Sequence, residues 1–176
     1  MKQIEVEVRS FISEKEYNSL LEFFKKSAEL IKEDYQETFY FDCTQDLRIQ
    51  RNNSFAKIWL KKGKIHDKHR EEIEVKVNRE DFENLEELFK ALNMDVEIKW
   101  YRKRFEFKWE DTKVCLDHTR GYGYIIELEK IVREEKKEEV YNELKEKLES
   151  LDVDITPKEE FEKAFDYYKR NWKKLT

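Results

Sequence analysis

The sequence has two cysteines, Cys43 and Cys115, far apart along the chain. That count excludes a disulfide framework, and with three scattered histidines it offers no zinc ligand set, so both thiols read as free intracellular side chains. Nowhere do about 18 consecutive apolar residues occur, as a membrane-crossing helix requires, and residues 4–9 enter an alternating segment with no apolar signal core. A soluble, cytoplasmic protein is the expectation. Positive charge is not in excess either: 36 Lys and Arg against 41 Asp and Glu leave a net charge of -5, which gives no general attraction for duplex nucleic acid or an acidic membrane. Any anion site has to be local. The three glycines and one proline, set against abundant lysine and glutamate, also match the composition of proteins from hot-growing organisms.

What the chain does have is charge laid out with a period. Charged residues make up 44% and aromatics 14%, and the apolar positions recur regularly, which a disordered chain would not show. A chain of 176 residues can bury roughly 70% of its unfolded surface, which favours one domain over residues 1–176. Residues 3–11 alternate as a strand, and Ser13 with Glu16 forms a capping box opening a helix whose apolar face is Tyr17, Leu20, Leu21 and Phe24. Strands follow over 28–42, 46–51, 55–62 and 70–77, with a turn at Asn52-Asn53-Ser54, a stop at Gly63 and a polar loop over 64–69. Phe82, Leu85, Leu88, Phe89 and Leu92 mark a second helix behind Asn78 as N-cap. Strands over 96–109, 112–118 and 123–132 precede a third helix carrying Val140, Leu144 and Leu148. Thr156 as N-cap, Pro157 at the first helical position and Glu159 then predict a fourth, with Phe161, Phe165, Tyr168 and Trp172 as its stripe. This order suits an antiparallel α+β fold better than repeated βαβ units.

The strands put charge on one face. Glu5, Glu7 and Arg9 oppose Ile4, Val6 and Val8; Arg48 and Gln50 oppose Leu47 and Ile49; Arg70, Glu72, Glu74 and Lys76 oppose Ile73, Val75 and Val77. Arg102, Arg104 and Glu106 oppose Tyr101, Phe105 and Phe107, while Asp117, Glu127 and Glu129 continue the pattern. Pattern alone fits an ordinary sheet with one solvated face, whose cross-strand pairs contribute tenths of a kcal/mol each. Four apolar helix stripes argue otherwise, because they need the apolar sheet face as cover, and a curled sheet would then turn its charged face into a lumen. A charged lumen is costly unless filled, and a metal-bound triphosphate supplies both missing signs.

The motifs that carry these charges resemble, in order and spacing, those of the CYTH superfamily, the triphosphate tunnel metalloenzymes. Glu5-Val6-Glu7-Val8-Arg9 resembles its Glu-x-Glu-x-Lys signature, with Arg for Lys. Tyr40-Phe41-Asp42, Leu47-Arg48-Ile49-Gln50, Trp59 to Gly63, Arg70 to Glu74 and Arg102-Lys103-Arg104 resemble successive family segments. So do Leu116-Asp117-His118, Gly121-Tyr122-Gly123 and Ile126-Glu127-Leu128-Glu129; Gln50 departs from the pattern by replacing an expected arginine. The resemblance implies a single-domain antiparallel β-barrel of about eight strands forming a triphosphate tunnel, with amphipathic helices packed outside. It implies Mg²⁺ or Mn²⁺ held by Glu5, Glu7, Asp117, Glu127 and Glu129. Phosphate binding falls to Arg9, Arg48, Gln50, Lys62, Arg70, Arg102 and Arg104, and Lys62 and Glu74 are the catalytic candidates. Lys62, crowded by cations, is the candidate for handling a proton.

The substrates so implied are ATP, tripolyphosphate or thiamine triphosphate. The Asp-His and Gly-x-Gly segment resembles class IV adenylyl cyclases more than thiamine triphosphatases, giving ATP cyclisation as the leading reading. Terminal-phosphate hydrolysis is the alternative, and a non-catalytic binder of triphosphates or RNA 5′ ends is a reading of another class. His66, His69 and His118 read as solvated side chains, and the four tryptophans as packing. An apolar strip on the last helix would support a homodimer or close one end of the barrel of a monomer.

Overall fold

Residues 3–61 and 72–176 are described by the structure, a computed structural model. Eight strands, β1 (Gln3–Ile12), β2 (Glu29–Phe41), β3 (Asp46–Arg51), β4 (Ala56–Lys61), β5 (Glu72–Val77), β6 (Val96–Trp109), β7 (Thr112–Thr119) and β8 (Gly123–Arg133), form one sheet. Its order is β1-β8-β7-β6-β2-β3-β4-β5, with every described pairing antiparallel. Short turns make most neighbours, but β1 with β8 and β2 with β6 join distant parts of the chain. Among the described residues β1 and β5 do not pair, so the expected barrel is open along that flank.

Four helices accompany the sheet: α1 (Glu14–Ser27), α2 (Phe82–Ala91), α3 (Lys137–Glu149) and α4 (Lys158–Leu175). The first three cover the apolar sheet face. Tyr17, Leu20 and Phe24 of α1 and Val140, Leu144 and Leu148 of α3 bury against Val6, Val8, Phe105, Phe107, Val114, Leu116, Ile126 and Leu128. Phe82 and Leu85 of α2 do the same over Phe39, Phe41, Ile49 and Ala56. Arg51 pins α2 further, through Glu37 on β2 and Glu83 on the helix.

The fourth helix differs from the expected outside packing. Its stripe meets Ile98, Trp100 and Tyr40, which alternate on the same side of the sheet as Arg102 and Arg104. Phe161 stacks on Phe11 with ring centroids 4.3 Å apart. The Tyr168 hydroxyl donates to the Lys99 carbonyl at 2.7 Å and Trp172 Nε1 to the Glu97 carbonyl at 2.8 Å. Of the two uses foreseen for this strip, covering one end of the charged face is the one seen, because that end, unlike the rest of the face, is aromatic.

Capping follows the sequence at α1 and departs from it at α4. Ser13 and Glu16 make the reciprocal capping box, with Ser13 N donating to Glu16 Oε2 at 2.6 Å. At α4 Pro157 itself occupies the N-cap and no side chain caps the helix. The Thr156 hydroxyl is spent on β1 instead, accepting from Phe11 N at 2.9 Å and lying 2.7 Å from Ser10 Oγ. That latch fixes where α4 leaves β1. Asn78 likewise makes no side-chain cap; a short 3₁₀ turn over 79–81 leads into α2.

Candidate functional site

The middle of the charged face is buried rather than solvated, while Glu5, Glu7 and Glu74 are exposed. Arg48, Gln50, Thr38, Asp34 and Asp117 all lie on it, and each is nine-tenths or more buried. A flat sheet with one wet face cannot bury such groups, so the sheet curls around them and the face becomes a lumen.

One side of the lumen is acidic. Antiparallel register sets Glu7 opposite Glu129 and Arg9 opposite Glu127, so alternation aims Glu5, Glu7, Glu127 and Glu129 into the same space. Glu7 shows the consequence: desolvation by the lumen walls, then repulsion from Glu127, Glu5 and Glu129, push its carboxyl up to about 7 against the opposing pull of Arg9. Its carboxylate reaches solvent, yet the walls displace much of the surrounding water. Burial also raises Glu129, although Lys113 donates to it at 2.6 Å. Such crowding is unfavourable until a cation arrives. On the neighbouring strand the buried Cys115, opposite Glu127 in the register, brings its sulfur within 4.8 Å of carboxylate oxygens of Glu127 and Glu129. Burial pushes that thiol well up, Arg104 pulling the other way.

The middle of the lumen is basic. Arg104 donates to Asp117 through Nε at 2.7 Å and Nη2 at 2.6 Å, and reaches Glu127 at 3.4 Å. Arg102 donates to Asp117 at 3.2 Å and to Gln36 at 2.8 Å. Burial works against its charge, but Arg104 and Arg102 hold the Asp117 carboxyl below the usual range. Asp117 was expected among the metal ligands; here its oxygens accept from Arg102 and Arg104. Next to them the buried Thr119 Oγ1 has no hydrogen-bond partner among the described residues.

Across the lumen, Arg48 takes Asp46 at 2.6 Å by two parallel bonds and lies over the rings of Tyr40 at 4.3 Å and Trp59 at 5.4 Å. Gln50 donates to Thr38 Oγ1 at 2.9 Å. Glu74 accepts from Lys57 at 2.7 Å. Arg9 packs over Phe161 of α4 at 4.4 Å, beside the acidic group. Lys62 and Arg70, like His66 and His69, lie outside the described residues. The structure thus brings together Glu5, Glu7, Arg9, Arg102, Arg104, Asp117, Glu127 and Glu129 on adjoining strands, with Arg48, Gln50 and Glu74 on the facing ones.

Sequence reading missed Cys115, Lys57, Lys113, Gln36 and Asp34. Cys115 and Lys113 lie two and four residues before Asp117 on the same strand, and that even step was the available signal. His118 takes the opposite face: its ring stacks on Tyr124 at 4.3 Å, over the α1 core. Gly121 has φ +72, and a Cβ there would come within 2.5 Å of Leu175 Cβ, so this glycine seats the end of α4.

A family model described as the CYTH domain matches residues 3–159. The chain belongs to the CYTH family. Solved structures agree in fold. A conserved hypothetical protein of Pyrococcus furiosus superposes with a TM-score of 0.71 at 23% identity, covering 88% of this chain and 96% of its own. A Pyrococcus horikoshii protein gives 0.68 at 25% identity, covering 86% and 92%. A Hippeastrum protein, a candidate adenylyl cyclase described as having a dominant triphosphatase activity, gives 0.64 at 20% identity, covering 86% and 89%. No curated protein matches the chain. The CYTH fold accounts for the eight-stranded antiparallel sheet and its charged face, and among the described residues no helix is long and apolar enough to cross a membrane.

Proposed function

We propose that this CYTH chain is, in a single domain, a divalent-metal-dependent enzyme acting on a linear triphosphate, with Glu5, Glu7, Glu127 and Glu129 holding Mg²⁺ or Mn²⁺. The observation that carries the reading is the division of one lumen into crowded carboxylates and largely desolvated guanidinium groups. Four crowded carboxylates, among which desolvation first and mutual repulsion second lift Glu7 to about 7, fit a hard divalent cation, which takes six or more oxygen ligands. When bound, such a cation neutralises phosphate charge and polarises a phosphoryl group. Arg102 and Arg104 then face the non-bridging oxygens, a guanidinium fork being suited to paired oxygens. Arg9 and Arg48 bring further positive charge from either side, with Lys62 and Arg70 the remaining cations of the expected set. Asp117 holds the two central arginines by hydrogen bonds, so little reorganisation is needed as charge builds in the transition state. The unpartnered Thr119 hydroxyl offers a substrate oxygen a neutral donor.

Of the two reactions, hydrolysis of the terminal phosphate is the better supported. Cyclisation was favoured by the Asp-His and Gly-x-Gly segment, but His118 faces away from the lumen and Gly121 serves the docking of α4. Cyclisation also needs a ribose hydroxyl aligned on the α-phosphate, whereas hydrolysis needs only a positioned water. The triphosphatase activity described for the Hippeastrum structure supports the same choice. ATP cyclisation is the second reading, resting on the sequence resemblance to class IV cyclases. Lys62 and Glu74 are the proposed proton-handling residues, Glu74 by way of its bond to Lys57.

The test is incubation with tripolyphosphate, thiamine triphosphate and ATP, with and without Mg²⁺ or Mn²⁺, resolving the products. Orthophosphate release is expected, and its loss in Glu5→Gln and Glu7→Gln proteins that still fold. Cyclic AMP with pyrophosphate selects the second reading. Unchanged turnover in both variants refutes the site.

A further inference from the structure

Among the lumen side chains, Cys115 fits neither half of the charge pattern. It is fully buried, it is a thiol among carboxylates, and its sulfur makes no hydrogen bond among the described residues. Hydrophobic packing does not explain its direction. The cores on the other face hold its neighbours Val114 and Leu116, while alternation turns Cys115 inward with Lys113 and Asp117.

Its sulfur and one oxygen each from Glu127 and Glu129 all lie within 4.8 Å of one another. Donors that share one tetrahedral ion at about 2.0 to 2.3 Å lie about 3 to 4 Å apart. Small side-chain rotations therefore close the set. Lys113 on Glu129 and Arg104 on Glu127 are the cations that a metal would displace or lie beside.

We propose that Cys115 is a metal ligand, giving the acidic end of the lumen a Cys-Glu-Glu donor set that takes a thiophilic divalent cation such as Zn²⁺ or Cd²⁺ in preference to Mg²⁺. Hard oxygen sets suit Mg²⁺, and a thiolate shifts preference toward Zn²⁺. The S–H proton leaves to solvent as the sulfur–metal bond forms, with no change of oxidation state. The inference rests on Glu127 and Glu129 facing a metal, as the proposed function also requires. Its consequence is that Zn²⁺ competes with the ion that supports turnover.

Chelator-stripped protein is titrated with Cd²⁺ and the ultraviolet thiolate-to-cadmium charge-transfer band is followed, with Zn²⁺ and Mg²⁺ affinities measured by calorimetry. The Cys43→Ser protein, whose one remaining thiol is Cys115, is expected to keep the band. Cys115→Ser and Cys115→Ala are expected to lose it and to bind Zn²⁺ roughly tenfold or more weakly, with Mg²⁺ binding changed by less than about threefold. No band in the Cys43→Ser protein overturns the proposal, as does a band that survives either Cys115 substitution. If neither Cys115 variant folds, the Cys43→Ser titration decides alone. A band without any triphosphate turnover leaves this inference standing and removes the proposed function; Mg²⁺-dependent turnover without a band does the reverse.

Discussion

Asp117→Asn is the substitution whose effect follows most directly from the site. The aspartate is 3% exposed and accepts two bonds from Arg104 and one from Arg102. Removing one partner of a buried ion pair costs about 3 to 5 kcal/mol, because the remaining charge stays desolvated. Asparagine keeps one carbonyl oxygen in place, and Gln36 still receives Arg102 at 2.8 Å, so the lower end, about 3 kcal/mol, is expected. For a chain of this size that is a fall in Tm of about 6 to 12 °C, or in urea midpoint of about 1.5 M at a slope near 2 kcal/mol/M. The pH dependence has a defined sign. Because the folded Asp117 carboxyl is held low, its contribution is fully present above the unfolded value of 3.8 and is lost as pH falls through the folded value. The gap between variant and wild type is therefore constant from about pH 5 to 8 and closes in acid. Under the proposed function, tripolyphosphate at 100 times its Kd adds about 2.7 kcal/mol to variant and wild type alike. Urea denaturation of metal-free protein at several pH values is the assay. A variant within about 0.5 kcal/mol of wild type at pH 7 refutes the clamp as described.

Other perturbations probe different parts of the same arrangement. Glu7→Gln removes a carboxylate held near 7: between about 4.5 and 7 the folded state keeps a proton that the unfolded state has lost, so wild-type stability falls as pH rises through that window. The ceiling on that cost is about 3 kcal/mol, screened to about 1 because the group reaches solvent; metal-free Glu7→Gln is thus expected to melt about 2 to 4 °C above wild type at pH 8 and level with it at pH 4, and a lower melting point at pH 8 contradicts this. Gly121→Ala puts a Cβ at φ +72 against Leu175, so a loss of about 1 to 3 kcal/mol and faster tryptic cleavage at Lys173 and Lys174 are expected, whereas unaltered cleavage argues that α4 is not seated there.

Where local chemistry decides, the sequence was readable. The period of two on β1 gave its charged and apolar faces, and Ser13 with Glu16 gave the start of α1 to the residue. Thr156-Pro157 misled because the same hydroxyl has two uses, capping a helix or holding the strand beside it, and only the chain's return to Ser10 and Phe11 shows which one operates. His118 was read as solvated, and its stacking on Tyr124 depends on a partner that the β7–β8 register supplies. Cys115 was read only as a free thiol because Val114, Cys115 and Leu116 look like one apolar run; its direction is visible only by counting back two residues from Asp117. That β1 lies beside β8, which brings the two acidic pairs together, could not be read from spacing at all, since the segments are more than a hundred residues apart.

Gln50 stands where the family resemblance predicts an arginine. A glutamine there is not an empty position: its amide donates to Thr38 and it is 6% exposed, so the space an arginine would fill is already closed. Its register partner on the next strand is Lys57, which points into the same lumen, a position that carried no weight in the sequence. Lys57 lies 4.0 Å from the Trp59 ring and 2.7 Å from Glu74, which holds its flexible stem in one place. Lys57 thus puts a point charge, which grips one oxygen, beside a position where an arginine would have offered a planar fork that grips two. On this reasoning Glu74 acts chiefly through Lys57. Under the proposed function a triphosphate would meet planar forks at Arg102 and Arg104 and a point charge at Lys57.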